Sequence, residues 1–215
     1  MKNIKVLNKF ALFIIAPMIL FSCSVKDEIK PIEIVPTEKV YPLEDYILFS
    51  DDYLEYKFYY PLGWTTGKMS LSDIGKTPFY FFEKDNPGNT QDREGYLYGF
   101  YKYGDKDFRS LSLIVDPLDT KNIFNSDIWI KDIRKGIEQN NGLILDEDVF
   151  NKINVEMAYL KYSGIDPNNN IETYNIIWSF PSEKLDYLFL LQSRMDAKLE
   201  MDDYFELLLN TIRKK

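Results

Sequence analysis

The chain of 215 residues contains no histidine. Serine–histidine and cysteine–histidine nucleophile machinery is thereby excluded, as are zinc, copper and haem sites built on imidazole. Cysteine occurs once, at Cys23, so no disulfide forms within the chain and no later residue offers a thiolate for catalysis or metal ligation. A glycine-rich phosphate loop and internal repeats are also absent. Basic charge is in deficit: 26 Lys and Arg stand against 34 Asp and Glu, a net charge of −8. Such a field repels phosphate backbones, and no nucleic-acid partner is expected. The one basic cluster, Arg213-Lys214-Lys215, reads as cations complementing the dipole at the end of a helix.

What is present begins with Lys2, Lys5 and Lys9, followed by an apolar run from Phe10 to Phe21. That order is the one of a secretory signal. As a helix the run spans roughly 18 Å, too short for the ~30 Å of hydrocarbon in a bilayer, so it is not read as a permanent anchor. Leu20-Phe21-Ser22-Cys23 resembles the bacterial lipobox, although Phe21 is bulkier than the small residue usual there. The resemblance implies a signal peptide over residues 1–22, cleavage after the small Ser22, and palmitate-type acylation of Cys23. Acyl chains at ~0.8 kcal/mol per buried CH₂ give durable attachment without a spanning segment. Loss of the signal leaves 23 basic against 34 acidic residues, a net charge of −11. Residues 23–42 read as a tether, since charged residues alternate with Pro31, Pro36 and Pro42 and make a stiff, extended spacer. Ser24-Val25-Lys26-Asp27-Glu28 resembles the export signal of surface lipoproteins of the Bacteroidota, and a solvated linker is an equally good reading. The expected location is the bacterial cell envelope, on the periplasmic or surface face of an outer membrane, with the membrane itself a partner through the lipid.

Residues 43–215 suit a single domain with a sizeable core. Aromatic and β-branched stretches predict strands over 46–50, 53–60, 78–82, 96–103, 110–115, 155–162, 172–180 and 186–192. Two segments change period. Residues 126–139 place Ile130, Ile133 and Ile137 on one helical face, with Ser126 as the expected N-cap and Gly142 just past the end. Residues 196–213 do the same with Met201, Phe205, Leu208, Leu209 and Ile212. Strands joined by tight turns, with helices set apart, predict an α+β fold in which helices cover an antiparallel sheet.

The run Tyr56-Lys57-Phe58-Tyr59-Tyr60-Pro61-Leu62-Gly63-Trp64 resembles the opening motif of the PsbP-like family, named for an extrinsic photosystem II subunit. The order that follows is also similar: a meander, a mid-chain helix, a long hairpin across 155–192 and a closing helix. The resemblance implies an α-β-α sandwich over the whole domain. It implies little about role, because members differ widely in what they do. The metal-site histidines of some plant members have no counterpart here. Trp64 is expected as a core anchor, with a ligand platform the alternative.

The remaining chemistry is that of carboxylates and aromatics. Asp51, Asp52, Glu55, Asp116, Asp146, Glu147 and Asp148 are candidates for an acid pair of glycosidase type, or for a solvated surface. Asp85, Asn86, Asn89, Asp92 and Glu94 crowd one loop with oxygen ligands that suit calcium, without the order of a recognised calcium motif. In Tyr96, Tyr98, Phe100, Tyr101 and Tyr103 both parities of one strand are aromatic, so one face is core and the other is core or a contact surface. The reading that follows is a membrane-anchored, non-enzymatic binding or assembly module without cofactor, facing an envelope protein or a glycan. A carboxylate-dependent envelope hydrolase acting on glycans is the alternative.

Overall fold

The computed structural model describes residues 42–74, 94–104, 107–118, 124–166 and 170–215. The chain divides into two units, Met1–Lys39 and Val40–Lys215, and the described residues lie in the second. Leu20, Phe21, Ser22 and Cys23, and the loop residues Asp85, Asn86, Asn89 and Asp92, lie outside them, as does the strand expected over 78–82.

The strands are β1 (Tyr46–Phe49), β2 (Tyr56–Pro61), β3 (Thr65–Ser70), β4 (Tyr96–Gly104), β5 (Asp107–Pro117), β6 (Leu143–Lys152), β7 (Val155–Asp166), β8 (Ile171–Pro181), β9 (Leu185–Arg194) and β10 (Arg213–Lys214). The helices are a single turn, α1 (Leu71–Ile74), and two longer elements, α2 (Ser126–Gln139) and α3 (Lys198–Thr211). Among the described residues the strands form a seven-stranded sheet in the order β3-β4-β5-β9-β8-β7-β6 and a three-stranded sheet in the order β1-β2-β10, with antiparallel pairing throughout.

Alternation along the strands sorts the two faces of the large sheet. On one face, Tyr98, Phe100, Leu111, Leu113, Trp178, Phe180, Tyr187 and Phe189 join Tyr56 and Phe58 of β2 and Tyr204, Phe205 and Leu208 of α3 in one core. Trp178 and Phe189, neighbours across β8 and β9, stack with centroids 4.4 Å apart, and Phe205 meets the Trp178 ring at 5.1 Å. Burying each such side chain contributes roughly 1.5–3 kcal/mol. On the opposite face, Ala158 and Leu160 of β7 are buried beside α2, and Ile177 of β8 is buried as the register partner of Leu160. There Ser126 donates to Glu156 at 2.7 Å and Arg134 pairs with Glu147, while on the first face Tyr159 meets Phe205 at 5.3 Å. Since 156, 158 and 160 alternate with 157 and 159 along β7, the two long helices flank the sheet from opposite sides. The architecture is the expected α+β sandwich.

Several details differ from expectation. Asn125, not Ser126, caps α2, accepting the Ile128 N–H at 3.0 Å, because the Ser126 hydroxyl is turned to Glu156. The helix ends in a Schellman motif: the Asn141 N–H reaches the Glu138 carbonyl at 3.1 Å and the Gly142 N–H reaches that of Ile137 at 2.9 Å. Asn141, at φ 60°, supplies the left-handed residue. Gly142 is needed for closeness, since a Cβ there would lie 2.4 Å from the Ile137 side chain. The stretch 155–192 is a three-stranded meander of β7, β8 and β9 rather than one long hairpin. The C-terminal cations are not a helix end. Ile212 turns extended, and Arg213 and Lys214 pair with Lys57 and Tyr56 as β10.

Candidate functional site

The Pro61-Leu62-Gly63-Trp64 segment is a tight turn in which the Trp64 N–H donates to the Pro61 carbonyl at 3.3 Å. Gly63 sits at φ +82°, the position where a type II turn requires a residue without a Cβ penalty. That explains the glycine in the motif. Trp64 follows the turn into the core and is 8% exposed, an anchor as expected.

Trp64 also forms one wall of a notch. Tyr204 of α3 meets it edge to face at 5.6 Å and 66°, and Tyr46 of β1 lies nearly parallel to Tyr204 at 6.1 Å and 17°. The positions follow from simple geometry. Tyr46 is the register partner of Pro61 on β2, the Leu62 N–H donates to the Asp45 carbonyl at 2.8 Å, and Glu200, Met201, Asp203 and Tyr204 recur at helical spacing on α3. The resulting cavity of about 240 Å³ is lined by Asp45, Tyr46, Pro61, Trp64, Glu200, Met201, Asp203 and Tyr204. Met201 and Tyr204 are buried, whereas Asp45, Glu200 and Asp203 are exposed. The Tyr204 hydroxyl donates to the Tyr59 carbonyl at 3.1 Å, and burial raises its pKa well above the ordinary phenol value, with Tyr46 adding to the effect. Glu200 is paired with Arg109. Three aromatic rings and three carboxylates thus meet in one small space.

A second, shallower depression of about 630 Å³ lies between α2 and β6, lined by Asp127, Ile130, Lys131, Arg134, Glu147, Asp148 and Val149. The Arg134–Glu147 ion pair occupies its wall. Glu147 and Asp148 are adjacent on one strand, and Glu147 is committed to Arg134.

Of the other candidate acids, Asp51, Glu55, Asp146 and Asp148 accept hydrogen bonds from neighbouring groups. Asp51 accepts from the Tyr53 N–H, from Lys68 and from the Tyr98 hydroxyl, each at 3.0–3.1 Å. Burial works against its charge, but these bonds outweigh it and hold its pKa below the usual carboxylate value. Glu55 accepts from Ser182 and from the Lys184 N–H, and Asp146 accepts from the Tyr159 hydroxyl at 2.9 Å. Asp148 bonds its neighbour's Val149 N–H at 2.8 Å. Asp52 is exposed. Asp116 and Asp186 face each other across β5 and β9, yet line neither cavity. Of the proposed calcium loop only Glu94 is described, exposed two residues before β4, and no cluster of three metal-ligating side chains occurs among the described residues. In the aromatic strand Tyr98 and Phe100 are core at 1% exposure each, and Tyr101 is half-buried.

The notch was missed by sequence reasoning apart from Trp64. Its partners come from both ends of the domain, with Asp45 and Tyr46 at one and Glu200 to Tyr204 at the other.

No protein family matches the chain at the level of sequence, and no curated protein matches it. Its structure is similar to the solution structure of cyanobacterial PsbP (CyanoP) from Synechocystis sp. PCC 6803, with a TM-score of 0.53 and 12% identity over 84% of this chain and 99% of that one. At that identity the likeness speaks for architecture alone: the fold of this chain is PsbP-like.

Proposed function

We propose that the chain is a lipid-anchored envelope protein whose PsbP-like domain acts as a non-enzymatic binding or assembly module. Cys23 carries the anchor in this reading, residues 23–42 give the domain reach, and the outer membrane, on its periplasmic or surface face, is the site of action. The observation that carries the binding role is the aromatic notch of Tyr46, Trp64 and Tyr204, with Asp45, Glu200 and Asp203 at its rim. Aromatic rings held by packing offer contact area at low entropic cost. A hydrolase reading finds less support, because Asp51, Glu55, Asp146 and Glu147 are each engaged by neighbouring groups.

The test is site-specific photocrosslinking in native envelopes. A photoreactive residue at Leu62, 62% exposed beside the notch, is expected to give a discrete adduct identifiable by mass spectrometry. The same group at Ile128, 60% exposed on the opposite side of the sheet, is expected to give none. Absence of an adduct at Leu62, or the same adducts from both positions, would overturn the proposal.

A further inference from the structure

We infer that β1 is an open sheet edge that takes an extended segment of a protein partner as an added strand, a segment uncharged over its middle and carrying lysine or arginine at both ends. The inference rests on the binding-module reading and names how the partner is held.

The backbone gives the first argument. Among the described residues β1 lies at the end of the small sheet and pairs with β2 alone. The Asp45 carbonyl accepts from the Leu62 N–H at 2.8 Å, so by antiparallel alternation Ile47 and Phe49 turn their backbone groups to β2, while the N–H and C=O of Leu48 point away from it. Nothing among the described residues bonds those two groups. The edge is also held firmly: Phe49 meets the rings of Phe58, Tyr60, Tyr98 and Phe100 at 4.8–6.3 Å, which fixes β1 before any partner arrives.

The second argument is a contrast. Sheet edges are ordinarily guarded by charge, bulges or brevity, because an open edge pairs with other chains. β6 carries Asp146, Glu147 and Asp148 and a break in register between Ile144 and Asp146, β3 carries Lys68, and β10 is two basic residues long. Tyr46-Ile47-Leu48-Phe49 of β1 has no charge, and Ile47 and Leu48 are 37% and 41% exposed. Among the described residues β1 is the edge left unguarded.

Charge selects the occupant. A second copy paired antiparallel about Leu48 would bring the Glu44-Asp45 end of each chain against the Asp51-Asp52 end of the other, and like charges placed opposite one another are destabilising. Glu44, Asp45 and Asp52 are exposed, and among the described residues none of the three is in an ion pair. A foreign strand with cations at its two ends meets the same carboxylates favourably.

A capped peptide, Lys-Thr-Val-Thr-Val-Thr-Val-Lys-Lys, tests the inference on the full chain in detergent, labelled with 15N-leucine. The Leu48 amide signal, assigned by its loss in Leu48→Val, is expected to shift saturably. N-methylation of the central valine keeps the charge but removes the donor for the Leu48 carbonyl, and is expected to weaken binding about tenfold. Glutamate in place of the lysines is expected to weaken it by about as much. Leu48→Pro removes an N–H that faces outward on an edge strand, so it should keep a cooperative thermal transition and lose the peptide. The N-methylated peptide acts on the unaltered chain, so the test stands even if the proline variant does not fold. The inference is overturned if the lysine peptide leaves the Leu48 amide unmoved, if the N-methylated or glutamate peptide binds equally, or if sedimentation shows a dimer that Leu48→Pro abolishes, which would give the edge to a second copy. An adduct at Leu62 that persists in folded Leu48→Pro would sink this inference and spare the binding module.

Discussion

The Tyr98 hydroxyl donates to the Asp51 carboxylate at 3.0 Å, joining the second strand of the seven-stranded sheet to the connection between β1 and β2. The same carboxylate holds Lys68 of β3. Asp51→Ala leaves the Tyr98 hydroxyl without its acceptor and is expected to cost about 1–3 kcal/mol at pH 7. Because the folded-state pKa of Asp51 is lowered, its contribution is present above the unfolded value of about 3.9 and is lost as pH falls through the folded value. Urea denaturation of wild type and variant at pH 7 and near pH 3 checks this. The stability gap should close at the lower pH.

Alkaline conditions act in the opposite sense. Burial pushes Tyr162 up to about 12, and pushes Tyr187 to about 12 although the Glu55 N–H on its hydroxyl partly opposes the shift. Tyr98, Tyr159 and Tyr174 are raised further, first by burial and then by the carboxylates of Asp51, Asp146 and Asp202 that accept their hydroxyls. Groups with raised folded-state pKa values stabilise fully below the unfolded value, about 10 for a phenol, and lose that contribution as pH rises toward the folded one. Ultraviolet titration should therefore show tyrosinate formation in a few exposed residues first, then a cooperative rise coincident with unfolding between pH ~10 and 12. Smooth independent ionisation of all 16 tyrosines would contradict it.

Leu208 is 1% exposed on the buried face of α3, alongside Phe205 at 3%, with Ile212 at 5% just past the helix end. Leu208→Asp places an unpaired charge in the core and is expected to cost several kcal/mol. Loss of a cooperative thermal transition is the readout.

Gly63→Ala forces a side chain into the left-handed region at φ +82°. Nothing lies within 4 Å of the added Cβ, so the cost is backbone strain alone, about 1 kcal/mol. A lowered midpoint with an altered Trp64 environment is the expected result, visible by chemical denaturation and near-ultraviolet circular dichroism.

Cys23→Ser removes the thiol that acylation requires, and membrane fractionation with lipid labelling is expected to show a soluble or unprocessed form. Cys23 precedes the described domain, so far-ultraviolet circular dichroism should be unchanged.

The interior strands were legible in the amino-acid order and the edges were not. Tyr96–Gly104, Ile171–Pro181 and Leu185–Arg194 each bury at least one face and carry the aromatic and β-branched residues that burial favours. The longer strands that went unread, β3 and β6, are the two edges of the large sheet among the described residues. Thr65-Thr66-Gly67-Lys68 is exposed throughout, and Asp146, Glu147 and Asp148, expected as an acid pair or a solvated surface, sit inside β6. Edge strands are often blunted with charge, which erases the alternation that reveals a strand. Sequence could place Trp64 but not its neighbours. Asp45 and Tyr46 are brought to Asp203 and Tyr204 only by tertiary packing across most of the domain.

The two residues of β10 have a consequence for the order of events in folding. They supply the third strand of the small sheet, with the Lys215 N–H donating to the Glu55 carbonyl at 3.0 Å, so β2 gains its second neighbour only after residue 214 has been synthesised. The sequence separation between Tyr56 and Lys214 makes this closure among the most non-local contacts in the molecule. A nascent chain emerging from the ribosome would hold β2 half-paired until Arg213 and Lys214 are free to pair with it.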